Sequence, residues 1–203
     1  MKVRTLVQAA AWIDRTGVAL LFPGAGFPSL SEAMGRARMV WDETTETMWE
    51  WKDELPRRRK AWFGKFIHGK GTLIAPRLLT AVSEAVGTPW DTDAAEFLYA
   101  RGGLSAEAHR VAAVLRKDGP QPTLALRYAA GFDTPSKNVR FKRAMVELGR
   151  TLLVTHFGVE EEEGAAWPSA VYELTPRAFA KLSSRVTAAA RGEVQSLLGR
   201  LIR

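Results

Sequence analysis

Apolar positions recur along this chain with changing period, and the changes mark out its elements. In residues 5–16, Leu6, Ala10 and Ile13 recur at i, i+4, i+7, which is one helix face, and Gly17 supplies a stop. A loop punctuated by Pro and Gly follows. Ser29 or Ser31 then caps a short helix reaching Met34, with Glu32 in its first turn. In residues 38–52, RMVWDETTETMWEWK, aromatic and β-prone residues flank a polar centre, and Thr47, Trp49 and Trp51 share one face of an extended chain. This pattern predicts a β-hairpin. Pro56 suits the first turn of a new helix carrying RRRKAWFGKF. Residues 76–87 and 91–103 read as two further helices, the second capped by Asp91 or Thr92.

From Ser105 the pattern is clearer. Ala108, Val111, Ala112 and Leu115 stand at helical spacing between a Ser105 cap and a Gly119 stop. PQPTLALRYAAG gives a turn and a short helix capped by Thr123 and closed by Gly131. A third helix follows with Phe141, Met145 and Leu148 at i, i+4, i+7, then two strands, TLLVTHFGV and PSAVYEL, around EEEEGAAW. Helix, short helix, helix and hairpin is the order of a winged helix-turn-helix. The tail from Pro176 reads as one long helix with Phe179, Leu182, Val186, Ala190, Val194, Leu197 and Leu201 as its stripe, and with Gly192 as a kink point.

Helix, helix, hairpin also describes residues 5–52. The expected fold is therefore mainly α with small β-hairpins, an α+β protein of tandem winged helix-turn-helix units. Its expected boundaries are 1–90 for an N-terminal helical and β-hairpin lobe, a degenerate winged helix. The winged helix-turn-helix follows at 91–175, and the C-terminal helix at 176–203. A chain of 203 residues is long enough for one domain with two lobes.

Composition narrows the chemistry. The absence of cysteine excludes disulfides, thiolate catalysis and cysteine-ligated metal. The three histidines, His68, His109 and His156, do not form an HExxH pair, so a histidine-built metal site is not expected either. No apolar run reaches membrane-spanning length. The N-terminus, interrupted by Asp14, does not read as a signal peptide. The expectation is a cytoplasmic, nucleoid-associated protein without a membrane partner, monomer favoured over dimer.

Charge changes the picture further. Lys and Arg number 29 against 22 Asp and Glu, a net charge of +7. The excess is segregated. Residues 41–54 hold six acids and one lysine, whereas residues 56–77 hold seven basic groups and no acid. Such blocks point to a polyanion, here the phosphate backbone of DNA. In the helix of residues 136–150, Arg143 and Arg150 point away from the apolar face, Arg140 and Lys142 flank them, and Lys137 precedes them. A solvated helix face is the competing reading. Arg57, Arg58, Arg59, Lys65 and Lys70 interleave with Trp62, Phe63 and Phe66, which serve either as base-stacking groups or as core. Glu160, Glu161, Glu162 and Glu163 sit at the wing tip, where phosphates would repel them. Asp53 and Glu54 are the candidate carboxylates for orienting water or stabilising a cationic sugar; acids preceding a helix start are the alternative.

The segments TLVQAAAWIDRTGVALLFP, MWEWKDELPRRRKAWFGKF and LSAEAHRVAAVL carry a resemblance to AlkZ-related proteins of the winged-helix AlkZ/YcaQ DNA glycosylase superfamily, a bacterial group, over roughly residues 5–175. The resemblance implies tandem winged helices, DNA binding and a link to DNA damage. It also implies removal of bulky alkylated bases without metal or organic cofactor. The superfamily's catalytic Gln-x-Gln or Gln-x-Asp motif is absent: Gln8 precedes Ala9-Ala10, Gln121 precedes Pro122-Thr123, and Gln195 precedes Ser196-Leu197. Three readings stay open. One is a DNA-binding repair protein, another an active glycosylase using Asp53 or Glu54, and the third a winged-helix regulator or protein-interaction module that dimerises through its tail.

Overall fold

The computed structural model describes residues 2–36, 42–161 and 168–199. The first half begins with α1 (Leu6–Thr16), β1 (Val18–Leu20) and α2 (Leu30–Ala33), then α3 (Glu43–Arg57), β2 (Trp62–Gly64) and β3 (Thr72–Ile74). Thr5 caps α1 by accepting from the Gln8 N–H, and Gly17, at φ 79°, ends it. Ser29 caps α2 by accepting from the Glu32 N–H, and its hydroxyl donates to the Glu32 carboxylate at 2.6 Å. The three strands form an antiparallel sheet in the order β1-β3-β2.

The hairpin expected over residues 38–52 is instead helix α3, with residues 38–41 outside the described set. Asp42 caps it by accepting from Thr45 N–H at 3.1 Å, and Glu43 and Glu46 favour its positive N-terminal end. Thr45, Met48, Trp51 and Leu55 fall on one buried face. The cap and this 3–4 residue spacing outweigh the β-propensity of Thr and Trp. Pro56 lies in the last turn of α3, not in the first turn of a new helix. The chain then reverses at Arg59, whose φ is 57°, and residues 62–64 become a strand.

After α4 (Leu79–Ala85) and α5 (Ala94–Ala100) come α6 (Ala106–Asp118), β4 (Gln121–Pro122), α7 (Thr123–Ala129), α8 (Asn138–Arg150), β5 (Val154–Glu160) and β6 (Ser169–Leu174). Asp93 takes the cap position of α5, and Asp91 accepts from its N–H at 2.8 Å. Ser105 caps α6 and Gly119 closes it, as expected. Thr123 is the first residue of α7, not its cap, and its hydroxyl donates to the Ala170 carbonyl at 2.7 Å. The second sheet is antiparallel in the order β4-β6-β5. Both halves therefore run helix, strand, two helices, two strands, and both sheets order these strands first, third, second. In the first half the paired strands are β2 and β3, well beyond residue 52.

The expected single tail helix is broken. It divides into α9 (Thr175–Ala178) and α10 (Ala188–Leu198), which Thr187 caps. Between them the Ser183 hydroxyl accepts from Arg185 N–H, a local bond that competes with helix. The stripe residues Phe179, Val194 and Leu197 are buried in the same chain, with Leu182, Val186 and Ala190 packed beside them; Leu201 lies outside the described residues. Arg191 pairs with Glu84 at 2.6 Å and Arg77 with Glu193 at 2.5 Å, which fastens α10 to residues 77–85.

One apolar cluster fills the first half around Ile13, Met48, Trp51, Leu55 and Leu73. A second fills the other half around Val111, Leu115, Leu126, Phe132, Phe141 and Leu148. A third joins Trp62, Ile67, Leu78, Leu79 and Val82 to Leu152 and the tail. Trp62 is fully buried there, and its indole N–H donates to the Thr175 hydroxyl at 3.0 Å. The edges of the two sheets, β2 and β5, meet at Thr155. Its hydroxyl accepts from Phe63 N–H at 3.4 Å and approaches the Phe63 carbonyl at 3.3 Å. Beside this junction Gly149 of α8 lies against the Lys65 backbone so closely that a Cβ would come within 2.8 Å of Lys65 N.

This contact reverses an ordinary rule. Gly→Ala inside a helix normally gains up to about 1 kcal/mol. Gly192, in the middle of α10 with open space around it, follows the rule, so Gly192→Ala stabilises by roughly 0.5–1 kcal/mol. Gly149→Ala instead costs about 1–3 kcal/mol, because backbone must move. Equilibrium urea unfolding of the two variants checks the opposite signs.

Candidate functional site: an inter-lobe cleft with an acid–imidazole pair

A cleft of about 650 Å³ opens between the two halves. One wall is the chain following β2, through Phe63, Lys65 and Gly69; the other is Leu124 and Arg127 of α7 with Asn138, Phe141, Lys142 and Met145 of α8. Val154 and His156 of β5 and Ser169 and Tyr172 of β6 complete the lining. Most of these side chains are apolar or aromatic, as in sites that receive a flat organic group.

His156 is a buried titratable side chain in this lining. It pairs directly across the sheet with Tyr172, and its ring stands edge-on to Phe63 at 6.0 Å and to Tyr172 at 5.8 Å. The sheet bulges after His156, at Phe157, and Gly158 resumes the register at φ 142°. Only 4% of the His156 side chain is exposed, and its Nε2 lies 2.9 Å from Asp53 Oδ1. The contact is an ion-pair approach and not a formed hydrogen bond, so Nε2 has no hydrogen-bond partner among the described residues. Asp53 comes from α3, in the other half. The same oxygen accepts from Lys52 Nζ at 2.5 Å, and Lys52 also lies 4.7 Å over the Trp49 ring. Burial alone would raise the Asp53 carboxyl, but His156 and Lys52 together outweigh it and hold the group below its ordinary value. Burial, and then the Asp53 charge, push the Tyr172 phenol up.

Glu54, one residue on, turns outward. Arg57 grips it in two hydrogen bonds at 2.5 and 2.8 Å, and Arg58 adds one at 2.7 Å. The Arg57 contact leads in lowering its carboxyl to about 2. The two candidate carboxylates thus separate: Asp53 faces the cleft through His156, and Glu54 belongs to a surface ion cluster. Arg59 is also engaged. Its guanidinium donates to the Pro56 and Arg57 carbonyls at 2.7 Å each, capping α3, and stacks 3.7 Å over Phe157.

The remaining basic candidates divide by position. Lys65 and Lys142 stand on opposite walls of the cleft. Arg140, Lys142, Arg143 and Arg150 are exposed along α8, and of the two basic segments only Lys65 and Lys142 line the cleft. Lys137 is tied to the Gly131 carbonyl and to Asp133 at 2.8 Å. Lys70 lies apart, beside Gly24. Glu160 and Glu161 are exposed at the end of β5, and Glu162 and Glu163 lie outside the described residues. Among the described residues no helix is long and apolar enough to cross a membrane.

His156 and Tyr172 escaped sequence reasoning. The available signal was weak: a lone histidine in the apolar run of a strand. His68 and His109, by contrast, carry no such placement. His68 is exposed, and His109 sits on α6 against Glu96 and the Tyr99 ring.

The depressed Asp53 carboxyl stabilises the fold above its unfolded value, and that contribution is lost as pH falls through the folded value. The raised Glu173 carboxyl, buried before Arg177, has the opposite sign. The stability gap between wild type and Asp53→Asn is therefore expected to shrink below about pH 4. Relative to wild type, Glu173→Gln is expected to gain as pH rises from 4 towards 7. Urea midpoints measured across that range check both signs.

The family model described as AlkZ related matches residues 3–199 of the chain, and neither a curated protein nor a solved structure matches it.

Proposed function

The chain belongs to the AlkZ-related family, and from that premise we propose that it is a DNA-repair protein. It binds duplex DNA and cleaves the N-glycosidic bond of an alkylated nucleotide turned out into the inter-lobe cleft. The observation that carries this reading is the Asp53–His156 pair at a roomy, largely apolar cleft between basic walls. The repeated order of helix, strand, two helices and two strands fits tandem winged helix-turn-helix units, near residues 1–90 and 91–175, with residues 176–203 as a strap. In the second unit α8 holds the recognition position. Its C-terminal end packs on Lys65, so its free N-terminal half, with Arg140 and Arg143, is the part that meets phosphates, alongside Lys65 and Lys142.

In this reading His156 is the general base. The 2.9 Å contact of Nε2 with Asp53 closes into a hydrogen bond when the nucleotide binds, which keeps the proton on Nε2 and leaves Nδ1 as the basic nitrogen. It takes a proton from water as the water oxygen attacks C1′ of the sugar. The bond from C1′ to the base nitrogen breaks, and its electron pair leaves with the base, neutralising the positive charge of the alkylated ring. Asp53 stabilises the imidazolium that forms, and Lys52 positions Asp53. These residues stand in place of the glutamine motif that the chain lacks. A regulator that dimerises through the tail has less support, because the tail stripe is packed within its own chain.

About four phosphate contacts, one for each of Lys65, Arg140, Lys142 and Arg143, give a log–log salt slope for duplex binding near −3 to −4. Incubation with alkylated duplex yields abasic sites, and Asp53→Asn and His156→Asn each reduce the rate by roughly 10²-fold or more while duplex binding persists. Glu54→Gln leaves the rate within a few-fold of wild type. Salt-independent binding, or undiminished product from both cleft variants, overturns the reading.

A further inference from the structure

The cleft contains a cation without an anionic partner among the described residues. Arg127 of α7 lines it, and the guanidinium Nε is shut off from solvent without a hydrogen-bond partner. The guanidinium carbon lies 5.3 Å over the Tyr128 ring, a contact with the ring face that gives Nε no acceptor. A buried donor left unmade is costly and calls for an explanation, and a ligand acceptor supplies one. Asn138 and Lys142, one turn apart on α8, share a face and line the same wall. Among the described residues no ion pair engages either Arg127 or Lys142. Thr123, also in this wall, is spent on the Ala170 carbonyl.

The lining is therefore divided. Phe63, His156 and Tyr172 offer aromatic surfaces, whereas Arg127, Asn138 and Lys142 offer donors without an acceptor. The group that satisfies both is flat at one end and anionic at the other. We propose that Arg127, Asn138 and Lys142 form a phosphate subsite, so that the cleft grips its target as a nucleotide, by the phosphate as well as by the base. A planar guanidinium presents parallel N–H groups that match two phosphate oxygens; Lys142 adds a point charge and Asn138 a neutral donor. This rests on the reading that the cleft receives a nucleotide of DNA, and adds how that nucleotide is held.

The Nε–H signal of Arg127 in proton–nitrogen correlation spectra reads the contact directly, with Arg127→Lys assigning the signal by its loss. Deoxyadenosine 5′-monophosphate is expected to move this signal and deoxyadenosine is not. Arg127→Lys and Arg127→Met, with unchanged backbone spectra, are expected to weaken binding of the monophosphate by about tenfold or more. Equal binding of nucleoside and nucleotide, or an unmoved Arg127 signal at saturation, overturns the subsite. If wild-type duplex binding keeps its salt dependence in that case, only the subsite falls; if duplex binding is absent as well, the DNA reading falls with it.

Discussion

The meeting of two sheet edges, β2 and β5, is the constraint on which the rest of the molecule depends. A strand edge carries unpaired backbone groups that must be covered or solvated. Here the Thr155 hydroxyl addresses both backbone groups of Phe63, and the Trp62 indole is anchored on Thr175 next to it. This seam sets the distance between the two halves. It brings Lys65 under Gly149, opens the cleft beside it, and lets Asp53 of one half reach His156 of the other. The acid–imidazole pair is thus a property of the assembled chain, since neither half contains it alone.

The net positive charge is distributed by the same architecture. Arg57 and Arg58 are answered by Glu54, Arg77 by Glu193, Arg191 by Glu84 and Arg177 by Glu173. Arg59 serves as a helix cap. Lys65, Arg127 and Lys142 at the cleft, and Arg140 and Arg143 on the adjoining helix, have no such carboxylate partner among the described residues. Exposed ion pairs of the first kind are worth little to stability. Their effect is to offset part of the positive charge locally, whereas the cations at the cleft keep theirs for a ligand.

How much of this was legible in the sequence varied with the range of the deciding interaction. Helices α6 and α8 and strands β5 and β6 were readable because caps, stops and period agree locally, from Ser105 and Gly119 to the Phe141–Leu148 stripe. Helix α3 was misread because Trp and Thr favour strands, while the Asp42 cap and the Thr45, Met48, Trp51 and Leu55 face decide for helix. Strand β2 was misread because only its pairing with β3 distinguishes it from a helix start. Asp53 was legible as a candidate carboxylate, but its separation from Glu54 was not, since adjacent positions differ only in which way the helix turns them. His156 and Tyr172 were invisible for a related reason: their meaning lies in cross-strand register and in a contact from the other half of the chain.

The two halves share one order of elements and one strand order, yet the seam makes them unequal partners. Strand β5 is seven residues long, and its buried part, up to Gly158, packs against β2 and α3. Cut away from the first half, the second would carry that strand as a long bare edge, open to pairing with any other extended chain. The duplicated plan therefore does not yield two interchangeable modules. Each half acts as the chaperoning surface of the other, and the chain is an aggregation hazard until both have formed. Folding of the first half before the second leaves synthesis the shortest exposure of that edge, because the seam is ready when β5 emerges.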